Sequence, residues 1–121
     1  MRIRLIIAAA TAAAALAAPA FAEDGEYRAA LQRMITETAS GTCPADIMGD
    51  QLLAACRQQL PQMSAGLAGL GPVESISFVR AEDRPGGRVE IYAVRFAGGQ
   101  TLNWGIGGLR DGKFDIAYAG G

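Results

Sequence analysis

Apolar and polar positions change their period near Gly71, and that change divides the chain into a helical half and a strand half. From Gly71 to Tyr118, four short apolar runs alternate with turn formers. Val73-Glu-Ser-Ile-Ser-Phe-Val79 is rich in β-branched and aromatic residues, and Asp83-Arg-Pro-Gly-Gly87 after it predicts a loose hairpin. Val89-Glu-Ile-Tyr-Ala-Val-Arg-Phe96 and Thr101-Leu-Asn-Trp-Gly-Ile106 follow, joined by Gly98-Gly99, a pair that accepts φ > 0 at both positions. Asp111-Gly112, a strong signal for a type I′ turn, then precedes Phe114-Asp-Ile-Ala-Tyr118. The expected element is a four-stranded antiparallel meander with strands at about 73–81, 87–97, 100–108 and 113–119.

Register decides which side chains share a face, because a slip of one residue inverts the whole set. Two-residue loops at Gly98-Gly99 and Asp111-Gly112 pair Ala97 with Gln100 and Arg110 with Lys113. Tyr92 and Tyr118 then meet across Gly105, on a face with Val94, Phe96, Phe114 and Ile116. Val89, Ile91, Ala93, Leu102, Trp104, Ile106 and Ala117 occupy the other face. A three-residue loop with a bulge at the Gly-Gly hairpin moves Trp104 to the Tyr92 side instead. The two-residue loop is the preferred reading. It leaves both faces of the middle strands apolar, so the second face needs a cover: flanking loops and helices, a second copy of the chain, or another protein.

The first half carries a helical period. Tyr27, Leu31, Met34 and Thr38 form one stripe of a helix over about 26–39, with Asp24 placed to cap it and Gly41 to stop it. Leu53, Cys56, Leu60, Met63, Leu67 and Leu70 recur at steps of three and four over about 49–69. Pro61 falls inside that run, so the spacing predicts a kink or two helices meeting at Leu60 and Pro61. The fold class is α+β, with N-terminal helices packed on the meander sheet.

The chain starts with a different signature. Met1-Arg-Ile-Arg4, a largely apolar run from Leu5 to Ala18, and Ala20-Phe-Ala22 read as a secretory signal peptide over 1–22, cleaved before Glu23. The run is too short for a membrane span, and nothing later in the chain is apolar enough for one. Residues 23–121 then form a single domain of 99 residues that is periplasmic or secreted. Nine of the 11 basic residues remain against 12 acidic ones, a net charge of −3 without a basic cluster, which argues against nucleic acid. Cys43 and Cys56 allow only one intramolecular pairing in an oxidising compartment, and a structural disulfide is expected. The alternative is free thiols for metal or redox work, but there is no Cys-x-x-Cys and no histidine.

The absence of histidine also removes Ser-His-Asp and Cys-His arrangements and the usual zinc sets. No metal or cofactor is expected. A glycosidase-like site needs two facing carboxylates, whereas Glu90 and Asp115 point to opposite faces in the preferred register. Gly105, Gly107 and Gly108 lie in or at the end of a strand, not ahead of a helix, so they form no phosphate loop.

Leu70-Gly71, Tyr92-Ala-Val-Arg-Phe96, Gly99, Trp104-Gly-Ile106 and Asp111-Gly-Lys113 give the chain a family likeness. It resembles the small α+β modules of the nuclear-transport-factor-2-like and cystatin-like folds. In particular, it is similar to the accessory domain that follows the catalytic domain of some bacterial serine-hydrolase, β-lactamase-like proteins. The matching motifs are turn and core residues, so the resemblance implies a fold more than an activity. Some relatives of that superfamily are enzymes that use Asp and Tyr in a cone-shaped pocket.

Three functional readings follow. The first is an exported, non-catalytic interaction module of the bacterial cell envelope, binding a protein or its own copy through Ile91, Leu102, Trp104 and Ile106. The second is a carrier or sensor holding a small apolar ligand between sheet and helices, with Tyr92, Phe96, Gly105 and Tyr118 as pocket candidates. The third is a proton-transfer enzyme using Tyr92, Tyr118 and a carboxylate.

Overall fold

A computed structural model of the chain describes residues 25–120. The expected signal peptide over 1–22 and the expected cap Asp24 lie outside the described residues. Two helices, α1 (Arg28–Ala39) and α2 (Asp50–Leu70), precede four strands, β1 (Val73–Arg84), β2 (Gly87–Phe96), β3 (Thr101–Arg110) and β4 (Lys113–Gly120). The strands form one antiparallel sheet in the order β1-β2-β3-β4, the expected meander.

The helical stripes bury as their spacing requires. Leu31, Met34, Ile35 and Thr38 of α1 are buried, as are Cys56 and Leu67 of α2, while Leu53, Leu60, Met63 and Leu70 pack against the core from its margin. Of the two outcomes expected at Pro61, the division into two helices does not occur: α2 runs through it as one element. Pro61 and Arg57 are both exposed, so the carbonyl that loses its helical partner four residues back is open to water.

Two turns differ from expectation. β1 extends to Arg84, which pairs with Gly87, so the first hairpin turns tightly at Pro85-Gly86. The β2–β3 hairpin takes the three-residue loop: Arg95 pairs with Thr101, and Tyr92 lies opposite Trp104, not Gly105. Phe96 N–H donates to the Gln100 carbonyl, and Gly99 adopts φ +103, the left-handed conformation that ends such a loop. The end of α2 selects this register. Ala97 N–H donates to the Pro72 carbonyl and Gly98 N–H to the Leu70 carbonyl, so both amides of the longer loop are satisfied. At β3–β4 the expected turn holds, with Asp111 and Gly112 both at positive φ and Arg110 paired with Lys113.

The corrected register redistributes the faces. Tyr92, Val94, Phe96 and Ile106 now share the helix side with Leu102, Trp104 and Ala117, and all join the main core or pack on it. The outer face has rows Glu82–Val89–Gly107–Ile116 and Arg80–Ile91–Gly105–Tyr118. Trp104 is not on this face, and Val89 and Ile91 on it are buried within the chain. The Tyr118 ring lies over Gly105, and the Arg84 guanidinium stands 5.5 Å above the ring centre. At Gly107 a Cβ would come within 2.7 Å of Val89 Cα, so only glycine lets β2 and β3 close over this row. Val89 and Ile91 are buried beneath this cover, separate from the main core.

Candidate functional site

α2 is tied to the sheet at both ends and stands off it in the middle. At its start, Phe114 N–H donates to the Ile47 carbonyl and Gly49 N–H to the Phe114 carbonyl, which fixes the connector to the edge of β4. At its end, the Leu70 carbonyl holds the β2–β3 loop. The Cys43–Cys56 disulfide, with Cα atoms 6.1 Å apart, pins the connector to the second turn of α2. Between these ties lies a half-open groove of about 590 Å³.

Its walls are almost wholly apolar. Leu31, Met34 and Ile35 come from α1; Leu52, Ala55, Met63, Gly66 and Leu67 from α2; Leu102, Trp104, Ala117 and Ala119 from the sheet. Met34, Met48 and Met63, every methionine after Met1, line it. The lining residues with polar side chains are Thr38, Gln59 and Tyr118, the Tyr118 ring itself lying on the outer face, and none of the lining residues is charged. Trp104 is half-buried, and its Nε1 is buried with no hydrogen-bond partner.

The residues singled out in the sequence are distributed differently from expectation. Of the pocket candidates, Tyr92 and Phe96 are fully buried core residues, Gly105 lies on the outer face, and only Tyr118 reaches the groove, at its β4 rim. Of the interaction-face candidates, Leu102 and Trp104 line the groove, Ile106 is buried in the main core and Ile91 is buried on the outer face. No common exposed face joins them. Tyr92 and Tyr118 do not meet across Gly105, so the arrangement required for proton transfer between them is not formed.

A polar cluster lies at the start of α1. Glu90, fully buried on β2, accepts the Tyr92 hydroxyl at 2.5 Å, Glu26 N–H at 2.9 Å, Tyr27 N–H at 2.9 Å and the Arg88 guanidinium at 2.9 Å. Burial pushes its carboxyl pKa up, but the Tyr92 hydroxyl, the two main-chain amides and Arg88 outweigh burial and hold it below the usual range. Burial and the hydrogen bond to Glu90 raise Tyr92 well above an ordinary tyrosine, so its hydroxyl stays protonated. The sequence considered Glu90 only as half of a carboxylate pair. Its actual role, capping a helix whose own N-cap residue Tyr27 supplies no side-chain bond, links positions more than sixty residues apart.

Among the described residues there is no group of three or more His, Cys, Asp and Glu that could hold a metal ion. No helix among them is long and apolar enough to cross a membrane. No protein-family model matches the chain, and neither curated proteins nor solved structures give a match.

Proposed function

We propose that this chain is an exported, non-catalytic binding module whose groove between α2 and the β3–β4 half of the sheet takes a small apolar ligand. The observation that carries this reading is the groove itself. Protein interiors close to crystal-like density, whereas here about 590 Å³ stays open beneath a helix fixed at both ends. That volume lies within the roughly 300–1,000 Å³ of small-ligand sites. The methionine lining supports it too, because thioether side chains adapt to ligands of varied shape.

The basic start, the apolar run after it and the disulfide support export to an oxidising compartment. The order of two helices and a meander, with a groove between the layers, supports the likeness to nuclear-transport-factor-2-like and cystatin-like modules. In this reading the cell-envelope role is that of a carrier or sensor.

Trp104 is the sole tryptophan, so binding reports itself. Titration with the neutral dye N-phenyl-1-naphthylamine should give saturable dye emission and quenching of Trp104. Gly66 offers the control, because it lines the groove from a helical position where a Cβ meets nothing within 4 Å. Gly66→Leu should keep the fold and abolish dye binding. Unsaturable binding, or equal affinity in the variant, would remove the groove as a ligand site.

A further inference from the structure

Trp104 Nε1 is the one buried side-chain nitrogen or oxygen without a hydrogen-bond partner among the described residues, and Trp104 stands in the groove wall. An indole N–H can only donate, and native structures rarely leave a buried donor unpaired. A leucine or phenylalanine at this position would supply the same apolar wall without that cost. The neighbours do not satisfy the indole. The Thr38 hydroxyl lies against Cys56 Sγ, and Gln59, although it lines the same groove, makes no bond to the indole.

The groove is as informative in what it lacks. No Lys or Arg lines it, so an ionised ligand would be desolvated there without a counter-charge. We infer that its ligand is an uncharged apolar molecule with a hydrogen-bond acceptor such as an ester, amide or ketone carbonyl, received by Trp104 Nε1. The ionised carboxylic acid of the same chain length is rejected. This assignment rests on the groove being a ligand site. With one water-sized unit occupying about 30 Å³, the groove holds a molecule of roughly 20 non-hydrogen atoms. The flexible side chains of Met34, Met48 and Met63, which share the lining, can shift to let the carbonyl reach the indole.

Three probes of similar length separate the possibilities by displacement of N-phenyl-1-naphthylamine: methyl decanoate, dodecane, and decanoate held well above its carboxyl pKa. The full mature chain should bind the ester roughly tenfold more tightly than the hydrocarbon, the size expected when a buried unpaired donor gains an acceptor. It should bind the ionised acid more weakly than either. In Trp104→Phe the preference for ester over hydrocarbon should fall to about one, while hydrocarbon affinity is kept. The wild-type chain gives an independent readout, because the single indole Nε1–H proton resonance should move downfield with the ester and not with dodecane. Equal affinity for ester and hydrocarbon, an unmoved indole resonance, or tight binding of decanoate overturns the assignment and leaves the groove as a site. Failure of the dye and all three probes to bind overturns both.

Discussion

Glu90 stabilises the start of a helix that its own sequence leaves uncapped. Its carboxylate accepts the first free amides of the α1 entry and is itself held by Tyr92 and Arg88, so removing its charge weakens four bonds together. The fold lowers the pKa of Glu90 from a starting value of 4.5. The unfolded chain therefore takes up the proton first as pH falls: the contribution is full above about pH 4.5 and disappears as pH drops through the lower folded value. Glu90→Gln should lose about 2–3 kcal/mol at neutral pH and show a shallower loss of stability on acidification. Urea unfolding of both proteins from neutral pH downwards measures this. A variant within about 0.5 kcal/mol of wild type, with an unchanged acid limb, would show that the carboxylate is not needed there. At this scale the sequence was only partly legible. Alternation placed Glu90 and Tyr92 on one face, but the amides that make the acid tolerable come from a segment at the other end of the chain.

Among the elements, those specified by local chemistry were readable, and those specified by a distant partner were not. Asp111-Gly112 takes positive φ at both positions and fixed its hairpin as expected. Gly98-Gly99 fits loops of two or three residues equally well, and the choice is made by the Leu70 and Pro72 carbonyls after α2. That single residue of register moved Trp104 from the outer face to the groove. Pro61 is the complementary case: a strong local breaker is overridden because Cys56 on one side and Leu67 on the other are both buried against the same core. The proline still costs stability. Its interior-helix penalty of about 3 kcal/mol exceeds the roughly 1 kcal/mol it returns by restricting the unfolded chain. Pro61→Ala should accordingly stabilise the domain by about 1–2 kcal/mol, which for a domain of this size raises Tm by roughly 5–15 °C in a thermal melt followed by circular dichroism. A lower Tm would mean that α2 needs the proline geometry to meet its two anchors.

For the whole molecule, Val89 and Ile91 are buried on the outer side of the sheet, where the Arg84 guanidinium stands over the Tyr118 ring, and the apolar groove lies on the helix side. The fold class was legible because the two periods are strong and local. Which face remained open was not, because it depended on the register and on where α2 is anchored. The disulfide matters most at this level. It holds the connector to α2 while the connector is bonded to β4, so Cys43–Cys56 is one of the ties that hold the helix beside Trp104. For a separation of 13 residues, loop entropy puts its contribution at about 3 kcal/mol, and breaking it should lower Tm by roughly 10–20 °C. A second effect separates the groove from general stability. At temperatures where Cys43→Ser/Cys56→Ser protein is still folded by circular dichroism, α2 has lost the tie at its second turn, so Trp104 emission should shift to the red and dye affinity should fall. If the reduced or doubly substituted protein melts as expected but keeps wild-type emission and dye affinity, the groove is shaped by the main-chain anchors at Gly49 and Leu70 alone, and the disulfide serves stability only.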